Sequence, residues 1–178
     1  MKRILIILAI LFLGYIFYTD SKNYYVIPEE SIRFRVIANS NSVYDQYVKK
    51  EVKESLEETF YNDLLESKSI NESRNIINKN MRSYEEKVKN KLNELSYEEE
   101  FSINYGLNYF PEKEYKGVIY EEGEYESLVV TLGSGEGSNF WCVLFPPICT
   151  LETEESEDIE YRFLIKDLFD KYIFSRKK

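Results

Sequence analysis

The sequence predicts an α+β domain, an antiparallel sheet of about four strands with a helical hairpin and a C-terminal helix packed on it. Three observations lead there. Apolar residues recur at four-residue spacing from Tyr44 to Leu64, and a second helical stripe runs from Ile77 to Leu95. On both sides of that pair, alternation with a period of two marks strands. The length of 178 residues supports one core and is too short for two domains.

The chain opens with Lys2-Arg3 followed by fifteen uncharged residues, Ile4 to Tyr18, interrupted only by Gly14. A basic flank before an apolar run orients everything after Asp20 outside the cytoplasm. As a helix the run spans about 22 Å, short of a hydrocarbon core of about 30 Å. Residues 1–21 are therefore expected to be a signal peptide or an N-terminal membrane anchor. Residues 22–31, polar and containing Pro28, are expected to be a linker, and residues 32–178 a single α+β domain.

Ile32 to Ala38 alternates Ile32, Phe34 and Val36 against Arg33, Arg35 and Ile37, the pattern of a half-buried strand. Asn39 to Ser42 is a turn. Ser42 with Asp45, and Ser69 with Glu72, have the spacing of capping boxes and open the two helices. Ser67-Lys68-Ser69 separates the helices into a hairpin. After Ser96 the period changes to two: Phe101, Ile103, Tyr105, Leu107 and Tyr109 share a face, and Leu128, Val130 and Leu132 share another. Gly133-Ser134-Gly135-Glu136-Gly137 is expected to turn the chain as a hairpin, with Phe140 to Phe145 returning. An acidic connector, Glu152 to Glu160, leads to a final amphipathic helix through Tyr161, Leu164, Ile165, Leu168 and Tyr172.

Composition narrows the function classes. Net charge is -9; residues 1–21 carry Lys2, Arg3 and Asp20, a net +1, so the rest carries -10. That excess argues against nucleic acid as partner, because phosphate contacts need clustered Lys and Arg. The chain has no histidine. This removes Ser-His-Asp and Cys-His catalysis and His-containing zinc sites. No catalytic set, metal set or cofactor loop is expected. Gly133 to Gly137 lacks both the helix and the Gly-Lys-Ser/Thr of a phosphate loop. Carboxylates are abundant, so an exported carboxylate-dependent hydrolase stays as an alternative, beside a cell-envelope structural or adhesion protein.

The segment Asn139 to Cys149, NFWCVLFPPIC, concentrates the chain's single Trp, both cysteines and two of its four prolines. Trp141, Phe145, Pro146 and Pro147 fit a sealed sheet end as well as an interface anchor. Cys142 and Cys149 fit an extracytoplasmic disulfide as well as two unbonded thiols.

The motifs Ala38-Asn39-Ser40, Asp45-Gln46 and Trp141 to Cys149, together with Gly123 to Gly137, resemble the stage II sporulation protein R family over roughly residues 30–150. Asn41 and Val43 stand where that family commonly has Asp and Pro. The resemblance implies a ligand and not an enzyme. It implies a sporulation signal made in the forespore and exported to the space between forespore and mother-cell membranes. There it would activate a membrane-embedded aspartic protease of the mother cell, which removes the pro-sequence of sigma factor E. Asn39, Ser40, Gly135, Gly137, Trp141, Phe145, Pro146 and Pro147 are the expected partner-binding residues.

Overall fold

In the computed structural model of the protein, residues 6–8, 10–12, 25–27, 30–115, 118–148, 167–168 and 170–172 are described. The order is β1 (Tyr25–Val26), β2 (Ile32–Ile37), α1 (Val43–Leu64), α2 (Ile70–Glu94), β3 (Phe101–Phe110), β4 (Lys113–Tyr115), β5 (Val118–Tyr120), β6 (Gly123–Leu132) and β7 (Asn139–Phe145). The class is α+β, as expected.

Both helices begin where the capping residues stand. Ser42 is extended (φ -62°, ψ 151°) and its hydroxyl accepts from the Asp45 N–H at 3.0 Å. Ser69 does the same for Glu72 N–H, whose carboxylate accepts from the N–H of Lys68 at 2.9 Å. Val48, Val52, Leu56, Phe60 and Leu64 of α1 are buried, but Tyr44 is half exposed. A strict four-residue repeat drifts about 40° per step on a helix of 3.6 residues per turn, so one end of so long a stripe rotates off the core. Tyr44 instead donates its hydroxyl to the Leu95 carbonyl at 3.0 Å.

The main sheet has strand order β3-β6-β2-β7. Its pairs are antiparallel except β2 with β6, which run parallel. The expected β6–β7 hairpin is therefore corrected. β2 lies between the two strands, and Gly133 to Ser138 carries the chain past its end. Phe34, Val36, Leu128 and Val130 line the face on which α1 and α2 pack, with Phe34, Phe60 and Tyr84 meeting edge to face at 5.0 and 5.2 Å.

The opposite face is covered too. A small sheet, β1-β5-β4, which no sequence pattern announces, lies there. Tyr25–Val26, in the segment expected as a linker, pairs parallel with β5, and Ile27 is buried. The second covered face overturns the polar assignment of Arg33. This residue is fully buried, with the Tyr125 ring 3.3 Å from its guanidinium carbon and Phe110 and Tyr120 at 5.4 and 5.5 Å. Of the expected final helix, residues 167–168 and 170–172 are helical, and Tyr172 packs on Phe145 at 5.6 Å. Glu152 to Glu160 lies outside the described residues.

Candidate functional site

Two loops that the sequence keeps almost a hundred residues apart are tied into one surface at the ends of β2 and β6. Asn39 accepts from the Ser134 N–H at 2.9 Å through its side-chain oxygen, while its carbonyl takes the Glu136 N–H at 3.1 Å. Gly137 N–H donates to the Ala38 carbonyl at 2.9 Å. Asn41 repeats the pattern one step on, accepting from the Ser138 N–H at 2.8 Å and the Ser138 hydroxyl at 2.7 Å. Asparagine suits this work, because its short amide reaches neighbouring backbone groups as a turn residue does.

The glycines are dictated by this interlock. Gly133 has φ +53°, and a Cβ there would stand 2.3 Å from Asn39 Oδ1. At Gly137 the obstacle is backbone: a Cβ would lie 2.3 Å from the Ser40 carbonyl oxygen and 2.6 Å from its carbon. Backbone cannot swing aside as a side chain can. Gly137→Ala is therefore expected to destabilise the domain by about 1–3 kcal/mol. The check is a lower denaturation midpoint with an unchanged denaturant slope; an unchanged midpoint would show that the loops are free to separate.

Asp45 holds the interlock from below. It is buried at the start of α1 and accepts from the Ser40 hydroxyl and, at 3.3 Å, from the Asn39 amide. These bonds, Ser40's first, hold its carboxyl below the usual carboxylate range. Glu126 is also depressed. Burial pushes it up, but bonds from Arg74 (2.7 Å) and Tyr105 (2.6 Å) outweigh that. A carboxylate whose folded pKa lies below its unfolded value stabilises the fold above the unfolded pKa. That contribution fades as pH falls through the folded value. The melting temperature should accordingly drop as pH falls below about 4. Asp45→Asn should flatten that drop, and a pH-independent melt would refute the assignment.

A cationic rim adjoins the loops. Arg35, Lys49 and Lys113 form no salt bridge among the described residues, in a chain of net charge -9. Lys49 donates to the Ser138 carbonyl at 3.1 Å. With its amide oriented to satisfy both ends, Asn139 accepts from Arg35 at 2.7 and 3.2 Å and donates to Gly137 at 3.0 Å. Burial lowers the pKa of both Lys49 and Lys113. Lys113 depresses Lys49 further, and Arg35 depresses Lys113. Such a group of cations favours an acidic neighbour.

Trp141 sits under this rim, 8% exposed, edge-on to Phe110 and Tyr120 at 5.1 and 5.8 Å. One side lines a cavity of about 130 Å³ with Lys113, Tyr120, Asn139 and Phe140. Phe145, Pro146 and Pro147 are buried. Cys142 is buried and disulfide-bonded, and Cys149 lies outside the described residues.

The expected site residues thus divide by position. Asn39, Ser40, Gly135 and Gly137 meet at the surface, whereas Trp141, Phe145, Pro146 and Pro147 lie beneath it. Four residues, Arg35, Val43, Lys49 and Lys113, were missed. Arg35, Lys49 and Lys113 look like ordinary polar positions in sequence. Val43, 90% exposed beside the loops, stands just before the apolar stripe and carries no signal of its own in sequence.

The family model for stage II sporulation protein R matches residues 28–155. The stage II sporulation protein R of Bacillus subtilis (strain 168) is 33% identical over 135 residues, which is 76% of this chain and 60% of that protein. The chain thus spans less than two thirds of that relative's length. No solved structure matches.

Proposed function

The chain belongs to the stage II sporulation protein R family, and from that premise we propose that it is a non-catalytic, exported sporulation signal. In this reading it is made in the forespore and acts between the forespore and mother-cell membranes. It activates a membrane-embedded aspartic protease of the mother cell, which then removes the pro-sequence of sigma factor E. The N-terminal apolar run supplies export, either cleaved or kept as an anchor. In its described part, Ile6, Ile7, Leu8, Ile10, Leu11 and Phe12 are each more than half exposed.

The observation that carries the reading is the interlocked pair of loops. Asn39 to Asn41 and Ser134 to Ser138 use their polar groups on one another and build a rigid surface, which suits recognition. Around it stand the exposed Val43 and the Arg35, Lys49 and Lys113 rim, which suits an acidic contact on the protease.

The test is complementation of a deletion strain. The wild-type gene is expected to restore processing of pro-sigma-E. A chain carrying Val43→Glu, altered at a residue 90% exposed, is expected to be exported at the normal level and melt normally, yet leave the pro-protein intact. Normal processing in the deletion strain would end the protease reading. Normal processing by the Val43→Glu variant would move the signalling surface elsewhere on the domain.

A further inference from the structure

Strand β3 is one edge of the main sheet, and its ten residues, FSINYGLNYF, contain no charge and no proline. The surrounding chain is 31% charged. β3 pairs with β6 along its whole length, from Phe101 opposite Leu132 to Phe110 opposite Gly123, without a bulge. Among the described residues nothing adds to its outer side. Leu107 and Tyr109 stand 71% and 57% exposed. Monomeric proteins protect such edges with charges, proline, bulges or a covering element. None of these devices is present along β3 among the described residues.

The strand is also self-complementary. Set antiparallel to a second copy about Tyr105, Phe101 faces Tyr109, Ile103 faces Leu107, and Tyr105 faces Tyr105 of the other copy. Ser102 faces Asn108 and Asn104 faces Gly106. Residues opposite each other in an antiparallel pair lie on the same face. The larger apolar residues therefore meet across one face and the small polar ones across the other, as a two-fold contact requires. Both exposed apolar side chains gain apolar partners. The first like charges brought together are Glu98 and Glu112, beyond the strand ends and exposed.

We propose that β3 is a self-association edge through which two copies of this chain join their sheets into one continuous sheet across a two-fold axis at Tyr105. An uncharged strand gives a domain of net negative charge a line of approach free of like-charge repulsion. The contact strengthens with added salt, which screens the remaining charge.

The experiment is sedimentation of the full chain, purified in mild detergent, beside Leu107→Lys. The N-terminal segment is common to both, so a difference reports the β3 edge. Wild type is expected to be a dimer at high micromolar concentration, tightening with salt. Leu107→Lys, altered at an exposed position, should melt as wild type and associate roughly tenfold or more weakly. Register is read by cross-linking: a mixture of Ile103→Cys and Leu107→Cys chains should yield a disulfide-linked pair, and neither chain should do so alone. A monomeric wild type, an equally dimeric Leu107→Lys, or no cross-link in the mixture overturns the proposal. None of these outcomes touches the protease reading, which is scored on pro-sigma-E.

Discussion

Replacing Trp141 with alanine is expected to cost about 3–5 kcal/mol of folding stability, the range for deleting a large buried aromatic. The ring is 8% exposed, held edge-on by Phe110 at 5.1 Å and Tyr120 at 5.8 Å, with Lys113 and Arg35 over it at 5.0 and 5.6 Å. Each of these neighbours loses a partner, and the small sheet carrying Lys113 and Tyr120 loses the body it rests on. An interface anchor would behave differently, weakening binding by about 2 kcal/mol or more while leaving the melt alone. Urea unfolding followed by circular dichroism separates the two, since the variant has no tryptophan left to report by fluorescence. Trp141→Phe keeps an aromatic ring and should lose much less. A Trp141→Ala chain as stable as wild type would return Trp141 to the signalling surface.

The second large effect runs the other way. Arg33→Met is expected to stabilise the domain by about 1–3 kcal/mol. Among the described residues the three guanidinium nitrogens of Arg33 are buried without a hydrogen-bond partner, and burial lowers its pKa, only partly offset by Tyr125, Tyr120 and Glu121. A buried charge lacking hydrogen bonds costs several kcal/mol. The Tyr125 ring at 3.3 Å returns about 2 kcal/mol as a desolvated cation–π contact. Methionine fills a similar elongated volume without that charge. Arg33→Ala is the contrasting variant and should destabilise, because it empties the space between three rings. Chemical denaturation of both variants decides. A destabilised Arg33→Met would mean that the ring contacts outweigh the cost of burying the charge.

Much of the fold was legible in sequence because its signals are local. The hydroxyls of Ser42 and Ser69 sit three residues from the amides they cap, so the two helix starts could be read from spacing alone. The alternation through Ile32 to Ile37 and Leu128 to Leu132 identified strands for the same reason. The four-residue stripe of α1 was legible except at Tyr44, where the helix's own pitch carried the residue off the core.

The site was only half legible. Its residue types stood out, and Asn39, Ser40 and Gly137 do meet. Which of the chosen residues reach the surface did not follow. Trp141 and Phe145 are rare and adjacent in sequence, but rarity does not distinguish an anchor from a core residue.

The sequence by itself determined the class, the helical hairpin, the caps and the absence of histidine. Tertiary structure alone decided the insertion of β2 between β6 and β7, the interlock of Asn39 to Asn41 with Ser134 to Ser138, and the burial of Arg33. The physical reason is shared by all three. Periodicity tells a strand how many faces it has and which residues share one. What covers each face depends on chain tens of residues away, and no local pattern carries that information.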